Sequence, residues 1–207
     1  MKDTLGFRAI LGVMTPAMNT VVQPELELLR PRGVTNQMQR FRLGGDRVSE
    51  DLEEEATKLM DCRPAALLIA LTTDAAPGGV DKLSRRCGDL AVESGLPVFN
   101  ASEADHAALR AIGARRISVV TPFNAEVDRN VKANVEAAGF EVVAIKGTEC
   151  PSLEAICATP TEAIQRVFHE VDRDDADAIL QVGTALPVVA LLESLEGKKG
   201  WPRLKPP

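Results

Sequence analysis

Four apolar runs in this 207-residue chain end on small polar residues, and those ends are where chemistry could be done. They carry Thr15 with Asn19, Thr72 with Thr73, Thr121 with Asn124, and Gly183 with Thr184. Hydroxyls, amides and free backbone N–H groups at helix N-termini make good anion sites. Groups this small suit a carboxylate better than a long nucleotide. Neither a GxGxxG fingerprint nor a P-loop occurs, so no dinucleotide or NTP site is signalled. Taken singly, each threonine also reads as a helix cap or a strand-end hydrogen bond. Their recurrence at four equivalent edges is what points to a site. Asp74, just past the threonines, is the nearest carboxylate that could move a proton if burial raised its pKa.

Other reactive side chains fit bland roles. His106 and His169 lie on helical stretches and read as packing or surface residues. Cys62, Cys87, Cys150 and Cys157 form no CxxC pair, so neither a zinc site nor a disulfide framework is expected. They read as reduced, mostly buried thiols. Cys150 and Cys157 flank Ser152, so either could reach a cleft. The acidic run from Asp172 to Asp177 reads as a solvated loop.

The element that must position these groups is Ala65 to Thr73, AALLIALTT. A short apolar run between Pro64 and Pro77-Gly78-Gly79 reads as a buried strand. In open α/β sheets, ligands sit at the carboxyl edge of such strands. The design recurs from Ala178 to Leu186, AILQVGTAL. Further strands are expected at 7–14, 34–43, 97–99, 117–120 and 140–145. Helices are expected at 21–30, 49–60 (capped by Ser49), 80–94, 101–112, 125–138, 160–171 and 186–195. Strands alternating with helix-length connections predict parallel sheets covered on both faces.

An internal repeat divides the chain. Leu11 to Pro16 matches Ile117 to Pro122, and Leu68 to Thr73 matches Ile179 to Thr184. The expected organisation is a first α/β lobe at 1–97, a second at 98–195 and an irregular tail at 196–207, one helix short of full symmetry. The fold class is α/β, with two pseudo-symmetric Rossmann-like lobes of parallel strands and one site between them.

Composition narrows the partners. The chain is 45% hydrophobic, enough for a sizeable core. Its net charge is -6 with no basic run, which argues against nucleic acid. It has no apolar stretch of membrane-spanning length, and its N-terminus makes a poor signal peptide, so a cytoplasmic protein is expected.

Five segments together resemble the Asp/Glu racemase superfamily, in its branch of maleate cis-trans isomerases and arylmalonate decarboxylases. They are GVMTPAMNT (Gly12 to Thr20), GVTNQMQRFRLGG (Gly33 to Gly45), ALLIALTT, the stretch from Ala108 to Asn130, and DADAILQVGTAL (Asp175 to Leu186). The resemblance implies cofactor- and metal-free chemistry on small mono- or dicarboxylates, and a homodimer or higher oligomer. It also implies a cysteine at the end of the key strand in each lobe. Those positions fall on Leu71 and Val182, neither of which can carry a proton or attack carbon. A tyrosine of the family falls on Phe123, and a loop asparagine on Ser152. The binding residues implied to survive are Asn19, Thr72, Thr73, Gly183 and Thr184. The leading expectation is an isomerase/racemase-family enzyme of the maleate isomerase type acting on a small (di)carboxylate; a decarboxylase-like enzyme and a non-catalytic carboxylate-binding protein on the same scaffold are the alternatives. A truncated chain with little function is a further alternative.

Overall fold

The computed structural model describes residues 3–43 and 52–196. Its first half runs β1 (Ala9–Pro16), α1 (Val22–Leu29), β2 (Val34–Phe41), α2 (Leu52–Met60), β3 (Ala66–Ile69), α3 (Gly79–Ser94) and β4 (Val98–Asn100). Then α4 (Ala101–Ala111) leads to β5 (Arg116–Thr121), α5 (Ala125–Ala137), β6 (Glu141–Gly147), α6 (Leu153–Ile156), α7 (Thr161–Val171) and β7 (Ala178–Gln181). A 3-10 turn at Val189–Leu191 continues into α8 (Leu192–Glu196). The strands form two sheets, ordered β2-β1-β3-β4 and β6-β5-β7. Every pairing is parallel, as the alternation requires. Among the described residues no helix is long and apolar enough to cross a membrane.

The central strands of each sheet are buried on both faces, which is why they read as continuous apolar runs, whereas the edge strand β2 (VTNQMQRF) is largely polar. On β1, Met14 joins Leu67, Ile69, Leu59 and Leu83 on one face, while Val13 joins Val22 and Ala70 on the other. On β5, Val119 packs with Val131, Phe140 and Val182, and Val120 with Ile164, Phe168 and Leu186. Each of these large side chains contributes about 1.5–3 kcal/mol by leaving water.

Four local expectations are corrected. The strand expected to reach Thr73 ends at Ile69. Its last ladder bond is Ala70 N to Met14 O, after which Leu71 N turns back onto Ile69 O at 2.8 Å. Thr72 and Thr73 therefore lie on a loop, freed from the sheet. The repeat also slides by one residue. Val13 pairs with Leu68 and Val119 with Leu180, so Ala70 is the twin of Val182, Leu71 of Gly183, and Thr72 of Thr184. The sheet places β4 beside β3, so the first lobe's strands run past the boundary expected at 97/98. The last helix starts later than residue 186, because Pro187 biases Leu186 away from helical backbone. Ser49 and residues 197–207 lie outside the described residues.

Helix starts follow their caps. Asn100 accepts from Glu103 N, and Asn124 accepts from Glu126 N and Val127 N at 3.1 Å each. Asn124→Ala is expected to cost about 1 kcal/mol of stability in denaturant unfolding.

Candidate functional site

The carboxyl ends of β1, β3, β5 and β7 and the loops after them face one another across a cavity of about 90 Å³. Its wall includes Asn19, Leu71, Thr72, Thr73, Phe123, Gly183 and Thr184. Seven positions singled out in the sequence thus meet at one place.

The two lobes are joined at this wall. Asn19 is 2% exposed, and its Oδ1 accepts from Val21 N and Val22 N at the start of α1. Its Nδ2 donates to Thr184 Oγ1 at 3.3 Å, and that hydroxyl donates to Ala70 O at 3.1 Å. Arg40 donates to Asn19 O at 2.7 Å, fixing the same turn from outside. The Thr72–Pro77 loop is held from the second lobe. Asn134 Nδ2 donates to Asp74 O at 2.7 Å and Ala76 O at 3.2 Å, and Asn130 Nδ2 donates to Ala75 O at 3.2 Å. These asparagines are four residues apart on α5, so they share one helix face.

The loop leaves donors unspent. Thr73 is 5% exposed, and its Oγ1 has no partner among the described residues. Neither do the backbone N–H groups of Thr72, Thr73, Gly183 and Thr184. A buried hydroxyl without a partner costs about 1–3 kcal/mol. Gly79, at the first turn of α3, sits against this loop, and a Cβ there would meet Thr73 O. The helix start thereby adds its positive end to the wall. The wall also has apolar side chains, Leu43, Leu71, Phe123, Leu153 and Ile156. A wall of small polar groups and hydrocarbon fits a small carboxylate with an apolar substituent.

Three expected site residues stand elsewhere. Asp74 is buried, but its carboxylate accepts from Ser102 Oγ at 2.5 Å in a cluster with Asp105 and His106, away from the cavity wall. Ser152 is exposed and caps α6 by accepting from Ala155 N at 3.3 Å. Val182 packs into the core of the second lobe with Val131 and Val135. Of the two expected cysteine positions, only Leu71 reaches the wall.

The thiols stay off the wall too. Cys150 lies between the Thr148 and Thr159 hydroxyls, each at 3.2 Å, and Cys157 approaches Met18 O at 3.8 Å. Sequence reading missed Lys82, Leu43, Leu153 and Ile156. Lys82 follows Gly78-Gly79 at a helix start, the one cue that marked it. The two isoleucine and leucine positions of α6 were hidden because that helix has only four residues.

The cluster behind the loop is sensitive to pH. Burial, and then the charge of Asp74, pushes the Asp105 carboxyl up to about 7. Burial holds His106 below its ordinary value, while Asp74 and Glu103 oppose and Arg110 adds to the shift. Its ring lies 5.6 Å from that of Phe140. Between pH 4 and 7 the folded state keeps a proton on Asp105 that the unfolded chain releases, so this group's contribution to stability falls as pH rises. His106 acts oppositely just below pH 6.5, where the unfolded chain takes up the extra proton. Asp105→Asn is expected to shrink the fall between pH 4 and 7, to which the raised Glu25 and Asp128 also contribute, while leaving the histidine slope. Denaturant midpoints across that range would check it.

Comparison with known proteins bears on the fold and the family. The family model described as arylmalonate decarboxylase matches residues 16–205. The maleate isomerase of Nocardia farcinica (strain IFM 10152) is 24% identical over 216 residues, covering 97% of this chain and 86% of that protein. Among solved structures, the Nocardia farcinica maleate cis-trans isomerase bound to TRIS superposes with a TM-score of 0.80 at 20% identity, over 92% of this chain and 84% of that one. Unliganded arylmalonate decarboxylase gives a TM-score of 0.71 at 21% identity, with the same two coverages. Both share the pair of parallel sheets expected of an Asp/Glu racemase-like fold. With the family model matched over nearly its whole length, this chain belongs to the arylmalonate decarboxylase family, whose relatives here include isomerases and decarboxylases.

Proposed function

We propose that the protein is an enzyme that holds one carboxylate of a small dicarboxylic acid in the Thr72–Thr73 loop and removes the other as carbon dioxide. The unspent donors around Thr73 carry this reading. When the C–CO2 bond breaks, its electron pair moves into the retained carboxylate as an enediolate. Donors already aimed at that carboxylate stabilise the growing charge. The departing carboxylate faces Leu43, Phe123, Leu153 and Ile156, where a neutral product is favoured over an ion.

Isomerisation of the maleate type through thiol addition has less support, because no cysteine lines the wall. A non-catalytic carboxylate binder is the second reading. It is favoured by the wall's near lack of ionisable side chains.

A thermal-shift screen against phenylmalonate, malonate, maleate, fumarate, aspartate and glutamate separates these readings. Stabilisation by a malonate, with product formed, is expected. Conversion of maleate to fumarate would replace the decarboxylase reading with the isomerase one. Stabilisation without turnover of any acid would leave the binder.

A further inference from the structure

We infer that Lys82 is the catalytic proton donor, protonating the carbon left after carbon dioxide departs. This rests on the decarboxylase reading above. That reaction needs an acid, and the positions expected to supply thiols hold Leu71 and the core residue Val182. Asp74 is spent on Ser102, outside the cavity wall. Among the described residues, Lys82 is the one ionisable side chain on that wall, and it has no ion-pair partner. It projects from the first turn of α3, whose Gly79 abuts the backbone of Thr73. The lysine and the carboxylate donors are therefore parts of one loop-and-helix unit.

The step balances. The C–CO2 bond breaks and its electrons form the enediolate. An N–H bond of the Lys82 ammonium then breaks as the new C–H bond forms. The amine is left neutral and regains a proton from water, to which Lys82 is exposed. The cation also offsets the enediolate's negative charge before transferring its proton.

The test uses phenylmalonate, followed by proton NMR for phenylacetate and by thermal shift for binding. Lys82→Ala should turn over at least about 100-fold more slowly, the usual scale of general-acid catalysis, while phenylmalonate still raises its melting temperature. Lys82→Arg keeps the charge but releases no proton at ordinary pH, so it should stay far slower than the wild type. Added methylamine should restore part of the rate to Lys82→Ala alone. If Lys82→Ala keeps its rate within about threefold of a wild type that is itself active, the proton-donor role is overturned and the decarboxylase reading stands. The same holds if Lys82→Arg is fully active. If the wild-type protein binds phenylmalonate but never turns it over, both fall. If phenylmalonate does not bind, the carboxylate site falls with them.

Discussion

Thr73→Val is expected to move stability and activity in opposite directions. The ligand-free protein should gain stability, because the substitution removes a buried hydroxyl with no partner among the described residues and keeps the side chain's volume. The gain should be about 1–3 kcal/mol, or roughly 2–10 °C in melting temperature for a chain of this size. Turnover should fall by about 100- to 1000-fold, the usual loss when one preorganised donor to a developing oxyanion is removed. Binding of the ground-state carboxylate should weaken less, by about tenfold, since a charge-assisted hydrogen bond contributes about 1.5–3 kcal/mol. A hydroxyl with a purely structural role would give the reverse pattern, with lower stability and little change in rate. Melting curves without ligand, set beside steady-state kinetics, distinguish the two.

Gly147→Ala should produce the larger structural effect. Gly147 ends β6 beneath the loop that carries Phe123, and a Cβ there would lie 1.8 Å from Phe123 O and 2.9 Å from Thr121 Oγ1. The obstacle is backbone, which cannot swing aside as a flexible side chain could. Thr121 is itself committed: its Oγ1 donates to the buried Asp128 at 2.5 Å and accepts from Phe123 N at 3.0 Å. The methyl group therefore has to push apart a turn held on both sides. The expected cost is about 3 kcal/mol or more, with a fall of about 10 °C in melting temperature. Because Phe123 also lines the cavity, phenylmalonate should stabilise the variant less than it stabilises the parent protein. Gly88→Ala is the matching control. It lies within α3 with nothing within 4 Å of a new Cβ, so it should be neutral or stabilise by up to about 1 kcal/mol.

The sequence was most informative where periodicity and residue chemistry agreed. The buried strands could be read from continuous apolar runs because helices cover both sheet faces. Asn19, Thr72, Thr73, Gly183 and Thr184 could be read as a set because each follows a strand that stops at the same edge. What escaped was the direction of individual side chains. Asp74 follows Thr73 directly, yet its carboxylate turns to Ser102, and that choice depends on a helix 28 residues away. The turn at Ala70 shifted the repeat by one residue, so Leu71 was paired with Val182 when its sheet twin is Gly183. Ser152 has the residue type of a ligand contact but is used as the cap of a one-turn helix. Lys82 carried a weak signal, a cation just after a glycine-led helix start, and only the closeness of Gly79 to Thr73 gives it meaning.

These observations converge on one claim: a carboxylate is held by the Thr72–Thr73 loop while bonds at its α-carbon are remade. The most direct test is proton NMR of phenylmalonate incubated with the protein in deuterated water, beside Thr73→Val. The account predicts phenylacetate carrying deuterium at the α-carbon, formed by the wild-type protein and at least about 100-fold more slowly by the variant. Unchanged phenylmalonate with the wild-type protein, or equal rates from both proteins, would contradict it.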